Sequence, residues 1–438
     1  MKNLKIILTT IGLFSLVNCK KDACGYKALN KVITPSGCVT GNNTSMSGFT
    51  VATCYASSPT GDVAVIFDTR LNSSAPRAST GDWGATITAI HPPSWKANII
   101  GQVFGIAIDN NEAVYLASSH VYAQGIVPTP TQNTSPATIY KCIGPTWTAT
   151  PIITLPNSGI GTLNGIGNIA YDKVNDQLFT TNLEDGKIYR HNTGGTPLGV
   201  FDPWAADISP SGIVSQDEQV WGIGVNYETG KVKVYVPRVN ISGTRSMYSI
   251  TLNNDGSFPI GTNPEVIEIN SIPGTQNTIT DISFSSNKKE MLIAERGDPH
   301  ESKVMSYSLV GSSWVFNKQY HVGRTVSGVS ENAAGGVDFA YKEVGGDISA
   351  ECDQFFWASG NIFQSRGLNS STTGCPCIYG LGGIPYTGNN PGTAAIGTAN
   401  KDTDILIDFN PTSYTIGEKN TIGDVEVFDA DKCRCVDF

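Results

Sequence analysis

Apolar and polar positions alternate in short runs between residues 165 and 202, where the chain reads GIGNIAYDKVNDQLFTTNLEDGKIYRHNTGGTPLGVFD. A period of two predicts four consecutive strands, at 165–171, 177–182, 186–190 and 197–201. Asp, Asn and Gly gather at 172–176 and 184–186, the residue types that turns between such strands require. A single four-stranded meander cannot bury both of its faces. Several stacked radially can, so the predicted fold is all-β, a β-propeller.

The same unit recurs along the chain. First strands stand at 103–109 (VFGIAID), 165–171 (GIGNIAY), 221–227 (WGIGVNY), 280–285 (TDISFS) and 335–340 (GGVDFA), with starts 62, 56, 59 and 55 residues apart. Apolar second strands follow, as at 113–118, 231–236 and 290–295. Third strands each carry a tyrosine: Tyr140, Tyr189, Tyr248, Tyr307 and Tyr379. Fourth strands fall at 151–155, 197–201, 265–269, 315–321 and 404–409. Gly and Ala in the first strands suit a crowded axis, and the tyrosines are expected to pack between blades with their hydroxyls at the edge. A further first strand at 422–428 (IGDVEVF) has too little chain after it to build a blade, while the runs 49–57, 62–70 and 86–90 lack a first strand. Joined, they make six four-stranded blades across 48–438, closed by pairing of the N- and C-terminal strands. Closure removes the sheet edges on which chains aggregate. The last complete blade carries insertions rich in Gly, Ser, Thr and Asn at 358–377 and 388–401, and long loops on a rigid scaffold are where binding concentrates.

Charge narrows the partners. Thirty-eight acidic and 29 basic residues give a net charge of −9, spread thinly, so nucleic acid is not an expected partner. At the N-terminus Lys2 and Lys5 precede an apolar run at 6–17, too short to span a bilayer as a helix. It ends in Leu16-Val17-Asn18-Cys19, which resembles a bacterial lipobox, with Asn18 where Gly, Ala or Ser is commonest. The resemblance implies a signal peptide at 1–18, diacylglycerol and an N-acyl chain of the palmitate type on Cys19, and a membrane tether at 19–47. Lys20-Lys21-Asp22 lacks the Asp next to the cysteine that retains some lipoproteins in the inner membrane. The resemblance therefore favours the outer membrane or cell surface of a Gram-negative bacterium; a plain signal peptide is the alternative.

In that compartment the other cysteines read as disulfides. The candidates are Cys24, Cys38, Cys352, Cys375, Cys377, Cys433 and Cys435; with Cys54 and Cys142 the count is odd, leaving at least one thiol unpaired. Cys375-Pro376-Cys377 and Cys433-Arg434-Cys435 could jointly make a four-thiolate zinc site, although neither has the two-residue gap of a zinc knuckle.

The GIG-plus-hairpin units look like the six-bladed propellers of the NHL and senescence-marker/gluconolactonase type. The tail, with AECDQFFWA at 350–358, IYGLGGIPY at 378–386 and the run 422–428, resembles the ends of propeller-like bacterial surface proteins. This resemblance covers about residues 49–430 as architecture and implies an extracytoplasmic setting, with no assigned reaction.

HExxH, GxSxG and Walker motifs do not occur. One constellation stands out. Asp281, Asp338, Asp424 and Glu426 lie on first strands, with Asn164 at the lip of another, and such positions converge on a propeller channel. Their oxygens could hold a hard cation such as Ca²⁺. In the gluconolactonase-like family a divalent ion there activates water or a carbonyl, but the acid of that family's early strand has no clear counterpart in this chain. Hydrated channel residues without a ligand are the alternative, and alternation could turn some of them away from the axis. His91, His120, His191, His300 and His321 are scattered. Trp83, Trp95, Trp147 and Trp204 near loops suit either sugar stacking or packing between blades. The expected function is a non-catalytic recognition or scaffold module for protein or glycan partners, held to the membrane by its lipid anchor. The alternatives are a metal-dependent hydrolase or lactonase, and a subunit of a larger surface assembly.

Overall fold

The computed structural model describes residues 46–428 with breaks, chiefly at 70–88, 122–136, 157–164, 205–213, 324–330, 364–377, 387–404 and 409–421. Strands β1 (Thr50–Cys54), β2 (Ala64–Phe67) and β3 (Ala89–Ile90) are followed by a four-residue helix, α1 (Ala97–Ile100). The first continuous blade is β4 (Val103–Ile108), β5 (Val114–Ser118), β6 (Thr138–Ile143) and β7 (Thr148–Thr154). The second is β8 (Ile166–Asp172), β9 (Gln177–Asn182), β10 (Ile188–Asn192) and β11 (Pro197–Phe201). The third is β12 (Gly224–Glu228), β13 (Lys231–Val239), β14 (Arg245–Thr251) and β15 (Glu265–Ile269). The fourth uses β16 (Thr278–Phe284) and β17 (Glu290–Arg296); after the short β18 (Glu301–Ser302) come its β19 (Val304–Val310) and β20 (Ser313–Tyr320). The fifth is β21 (Glu331–Val344), β22 (Asp347–Phe363), β23 (Ile378–Pro385) and β24 (Ile405–Asp408), and β25 (Ile422–Val427) ends the set.

The sixth blade is composite, in the order β25-β1-β2-β3. Here the chain's two ends meet antiparallel, Thr50 opposite Val427 and Ala52 opposite Val425. The expected ring of six blades, closed by N- and C-terminal strands, is what the pairing shows. Two details differ from expectation. The β18 strand, from the fourth blade's connection, pairs in parallel with the start of β21 (Glu301 opposite Glu331), so the fifth sheet has five strands. The cause is the length of β21, which begins four residues before its predicted start and leaves an inner edge that β18 covers. The insertion placed at 358–377 also begins later, because β22 runs to Phe363 and buries Ala358 and Ser359.

Each of the six seams between adjacent blades holds its own apolar cluster. Composite and first blades meet through Val51, Ile66, Tyr140 and Phe428, and the first and second through Tyr115, Ile139 and Leu178. Phe179 and Val234 join the second and third, and Met247, Met291 and Tyr307 the third and fourth. Val304, Tyr320 and Phe356 join the fourth and fifth, and Val65, Trp357, Tyr379 and Val425 return to the composite blade. Burying each such side chain contributes about 1.5–3 kcal/mol, so stability is distributed around the ring. The third-strand tyrosines do pack in these seams. The hydroxyls of Tyr140 and Tyr307 are buried instead of reaching an edge, since both strands are covered by the next blade. Trp95, Trp147 and Trp204 are buried as packing residues, with Trp147 edge-on to Phe428 at 5.9 Å; Trp83 lies outside the described residues.

Candidate functional site

The axis is built on a repeated bulge. In the second blade Ile166 faces Asn182 and Ile169 faces Thr180, so Gly167 and Asn168 together oppose Thr181. In the composite blade Gly423 and Asp424 oppose Thr53 in the same way. A bulge removes one amide from the ladder and re-aims the side chain beside it. The second strand supplies a hydroxyl for that amide: Thr181 Oγ1 accepts from Asn168 N at 2.9 Å, and Thr53 Oγ1 from Asp424 N at 2.7 Å. Ser359 Oγ does the same for Gly336 N at 2.9 Å in the fifth blade. Glycine is required at these points because neighbouring inner strands touch. A Cβ on Gly336 would stand 2.6 Å from Asp424 Cα.

The re-aimed side chains fill the axis. Asn168 Nδ2 donates to Thr280 O (2.8 Å) and Asp281 Oδ1 (3.2 Å). Asp281 Oδ1 also accepts from Ile282 N, and its Oδ2 accepts from Val337 N of the fifth blade at 2.7 Å. Asp424 accepts from Val425 N through Oδ1 and from Ile106 N of the first blade through Oδ2 at 3.0 Å. Asp338 takes Ser283 Oγ–H (2.6 Å) and Val427 N–H (2.8 Å). Asp281 and Asp424 are buried acids that act on each other across the axis, as do Asp338 and Glu426, and each member of such a pair disfavours ionisation of the other. Burial raises Asp281 to about 6. Burial and then the charge of Asp281 push Asp424 well above the carboxylate range, and burial and then Asp338 do the same for Glu426.

The two ends of the axis differ. At one, the C-terminal halves of the inner strands open into a cavity of about 140 Å³, lined by Asp109, Tyr171, Lys173, Ser283, Asp338 and Glu426 among others. At the other, Phe104, Tyr55 and Trp221 form a plug. Arg296 reaches in from β17 and donates to Ala334 O and to Ile422 O (2.7 Å), its guanidinium lying 5.7 Å from the Tyr55 ring centre and 5.8 Å from that of Phe104.

Of the predicted oxygen ligands, the structure brings Asp281, Asp338, Asp424 and Glu426 together, and Asn164 lies outside the described residues. Both oxygens of Asp281, Asp338 and Asp424 already accept hydrogen bonds from the scaffold, so a Ca²⁺, which takes six to eight oxygens, would have to share them with those donors. Among the described residues no group of three or more His, Cys, Asp or Glu is arranged to hold a metal. Asn168 and Arg296 were not anticipated; a Ser or Thr on the second strand opposite a Gly-Asn or Gly-Asp pair was the available signal. His91 bonds Asp62 at 3.0 Å, and burial lowers His191 to about 4. Cys54 and Cys142 are buried and form no disulfide, with Cys54 Sγ–H directed at Tyr55 O, while Cys352 is disulfide-bonded. The lipidation residue Cys19 and the candidates Cys24, Cys38, Cys375, Cys377, Cys433 and Cys435 lie outside the described residues.

No family model and no curated protein matches the chain. Among solved structures it is similar to a chain of a nidogen/laminin complex, at 12% identity over 87% of this chain and 100% of that one, with a TM-score of 0.44. It is also similar to a gluconolactonase from Xanthomonas campestris, at 10% identity over 79% of this chain and 88% of that one, with a TM-score of 0.35. Likenesses this distant carry no functional argument; the six-bladed fold rests on the strand pairing itself.

Proposed function

We propose that the chain is a surface lipoprotein, anchored through Cys19, whose propeller is a non-catalytic recognition or scaffold module for protein or glycan partners. One observation carries the reading: Asp281, Asp338 and Asp424 each accept a backbone N–H from the next blade of the ring. The acids that a hydrolase would use to hold an ion or activate water are the joints of the scaffold. A ring tied together in this way presents rigid faces, and rigidity lowers the ordering cost of binding a partner.

Crosslinking on intact cells, followed by mass spectrometry, tests this. Recurrent crosslinks from the propeller to one surface component are expected. The purified protein titrated with Ca²⁺, Mg²⁺ and Zn²⁺ should show no change in melting temperature. A rise of several degrees that is lost in Asp338→Asn and Glu426→Gln would overturn the reading in favour of a metal-dependent hydrolase or lactonase. The mass of the mature N-terminal peptide reports separately on acylation of Cys19.

A further inference from the structure

Five of the six inner strands, β4, β8, β12, β16 and β21, are each joined by a short turn to the second strand they pair with. The sixth, β25, is not. Its ladder partner is β1, at the far end of the chain, and it pairs along that one edge. A strand without a hairpin is held only by what it touches, so the contacts of β25 decide whether the ring is closed.

Acids make those contacts to the other blades. Asp424 of β25 accepts from Ile106 N of the first blade at 3.0 Å, and Asp338 of β21 accepts from Val427 N at 2.8 Å. Asp424 N in turn donates to Thr53 Oγ1 of β1 at 2.7 Å. Asp424 also faces Asp281 of the fourth blade, and Glu426 faces Asp338 of the fifth. Both axial acid pairs thus have one member on β25 and the other on a different blade.

The surrounding charges do not offset the pairs. β16 supplies Asp281, β21 supplies Asp338, and Asp109 follows β4 at the cavity mouth. β1 (TVATC) and β4 (VFGIAI) carry no charged residue, and the thiol of Cys54 is directed at Tyr55 O. On β22 Asp353 is turned to Ser286. Lys173 flanks the mouth from the second blade, where the Tyr171 hydroxyl donates to Asp176. Arg296 of β17 is committed to Ala334 O and Ile422 O.

Burial and then the facing acid hold Asp424 and Glu426 well above the carboxylate range, and burial raises Asp281 to about 6. Away from the axis these groups meet water and return toward ordinary values. The closed ring therefore binds their protons more tightly than an open one, and closure is opposed as pH rises through 6.

We infer that β25 is a pH-sensitive latch, released from the ring as pH rises while the five continuous blades stay folded. Its release removes Glu426 and Val427 from the wall of the axial cavity and frees the inner edge of β1. The inference goes beyond the anchored, non-catalytic reading and does not depend on it.

Hydrogen exchange of the full-length protein between pH 5 and pH 8, with a chelator present and mass spectrometry as the readout, tests the latch. After correction for the intrinsic rate at each pH, the amides of 422–428 should lose protection about tenfold or more, since one ionisation is worth up to tenfold per pH unit. Those of β9 and β13 should keep theirs within about twofold. Glu426→Gln and Asp281→Asn each put a neutral amide in one pair, and each should reduce the loss about threefold or more. Protection of 422–428 that does not change with pH would overturn the latch. So would a loss shared equally by β9 and β13, or one undiminished in both variants.

Discussion

Glu295 and Asp281 lie on adjacent strands of one blade, both buried, and are neutralised by opposite means. Glu295 meets the guanidinium of Arg245 across the seam to the third blade, and Arg245 is also held by Pro273 O and by Asn277 O at 3.0 Å. Asp281 meets another carboxyl, Asp424, across the axis. A seam is broad enough to admit a long cationic side chain. Around Asp281 the inner strands of neighbouring blades approach closely, as at Gly222 and Gly336, and the group that faces it is a second short acid. Even with its cation, Glu295 sits above its usual range, because burial outweighs Arg245. Space, more than charge, decides which solution a propeller uses at each radius.

Breaking the seam pair should have the largest effect. Arg245→Ala or Glu295→Ala leaves one uncompensated buried charge and should cost about 3–5 kcal/mol in denaturant melts. The Arg245→Met/Glu295→Met protein should recover most of that loss.

The axis should reveal itself through pH. Asp281 is raised from 3.8 to about 6, so the folded chain binds this proton more tightly than the unfolded one. Its stabilisation is therefore complete below about pH 4 and is lost as pH rises through 6, with a slope of up to ~1.4 kcal/mol per pH unit. Asp424 and Glu426, also raised, extend the decline in the same direction. Melts between pH 4 and pH 8 should show it, and Asp281→Asn should flatten the slope whatever its own cost. A profile that rises over this range would mean that the axial acids are not sharing protons.

A smaller loss, about 1–3 kcal/mol, is expected for Gly336→Ala, whose new methyl would meet the Asp424 backbone. Smallest is Thr181→Val, about 1 kcal/mol, which removes the acceptor of the bulged Asn168 amide. The first blade indicates that one such hydroxyl is dispensable: Ala117 stands opposite the equivalent pair Phe104–Gly105.

The ring was legible in the sequence because period-two alternation and Asp/Asn/Gly turns survive in every blade. Closure was legible because 422–428 matched a first strand without partners. The axial acids were legible because first strands alone reach the centre. What alternation hid was the bulge. Asn164 was picked out at the lip while Asn168, four residues on, makes the contacts, since one extra residue reverses which side chain faces inward. Arg296 was hidden for another reason: it belongs to a second strand, and only its length carries it inward. Cys54 and Cys142 are buried without a disulfide, with Cys142 pushed up to about 12 by burial, and composition cannot report that.

Because β1 waits for β25, the ring is a clasp whose two halves are made first and last. During synthesis the five continuous blades can assemble in turn while Ala52, Val65 and Phe67 remain without the neighbours that bury them. The clasp shuts only once residue 427 has left the ribosome, so the five blades between its halves are made before the ring is locked.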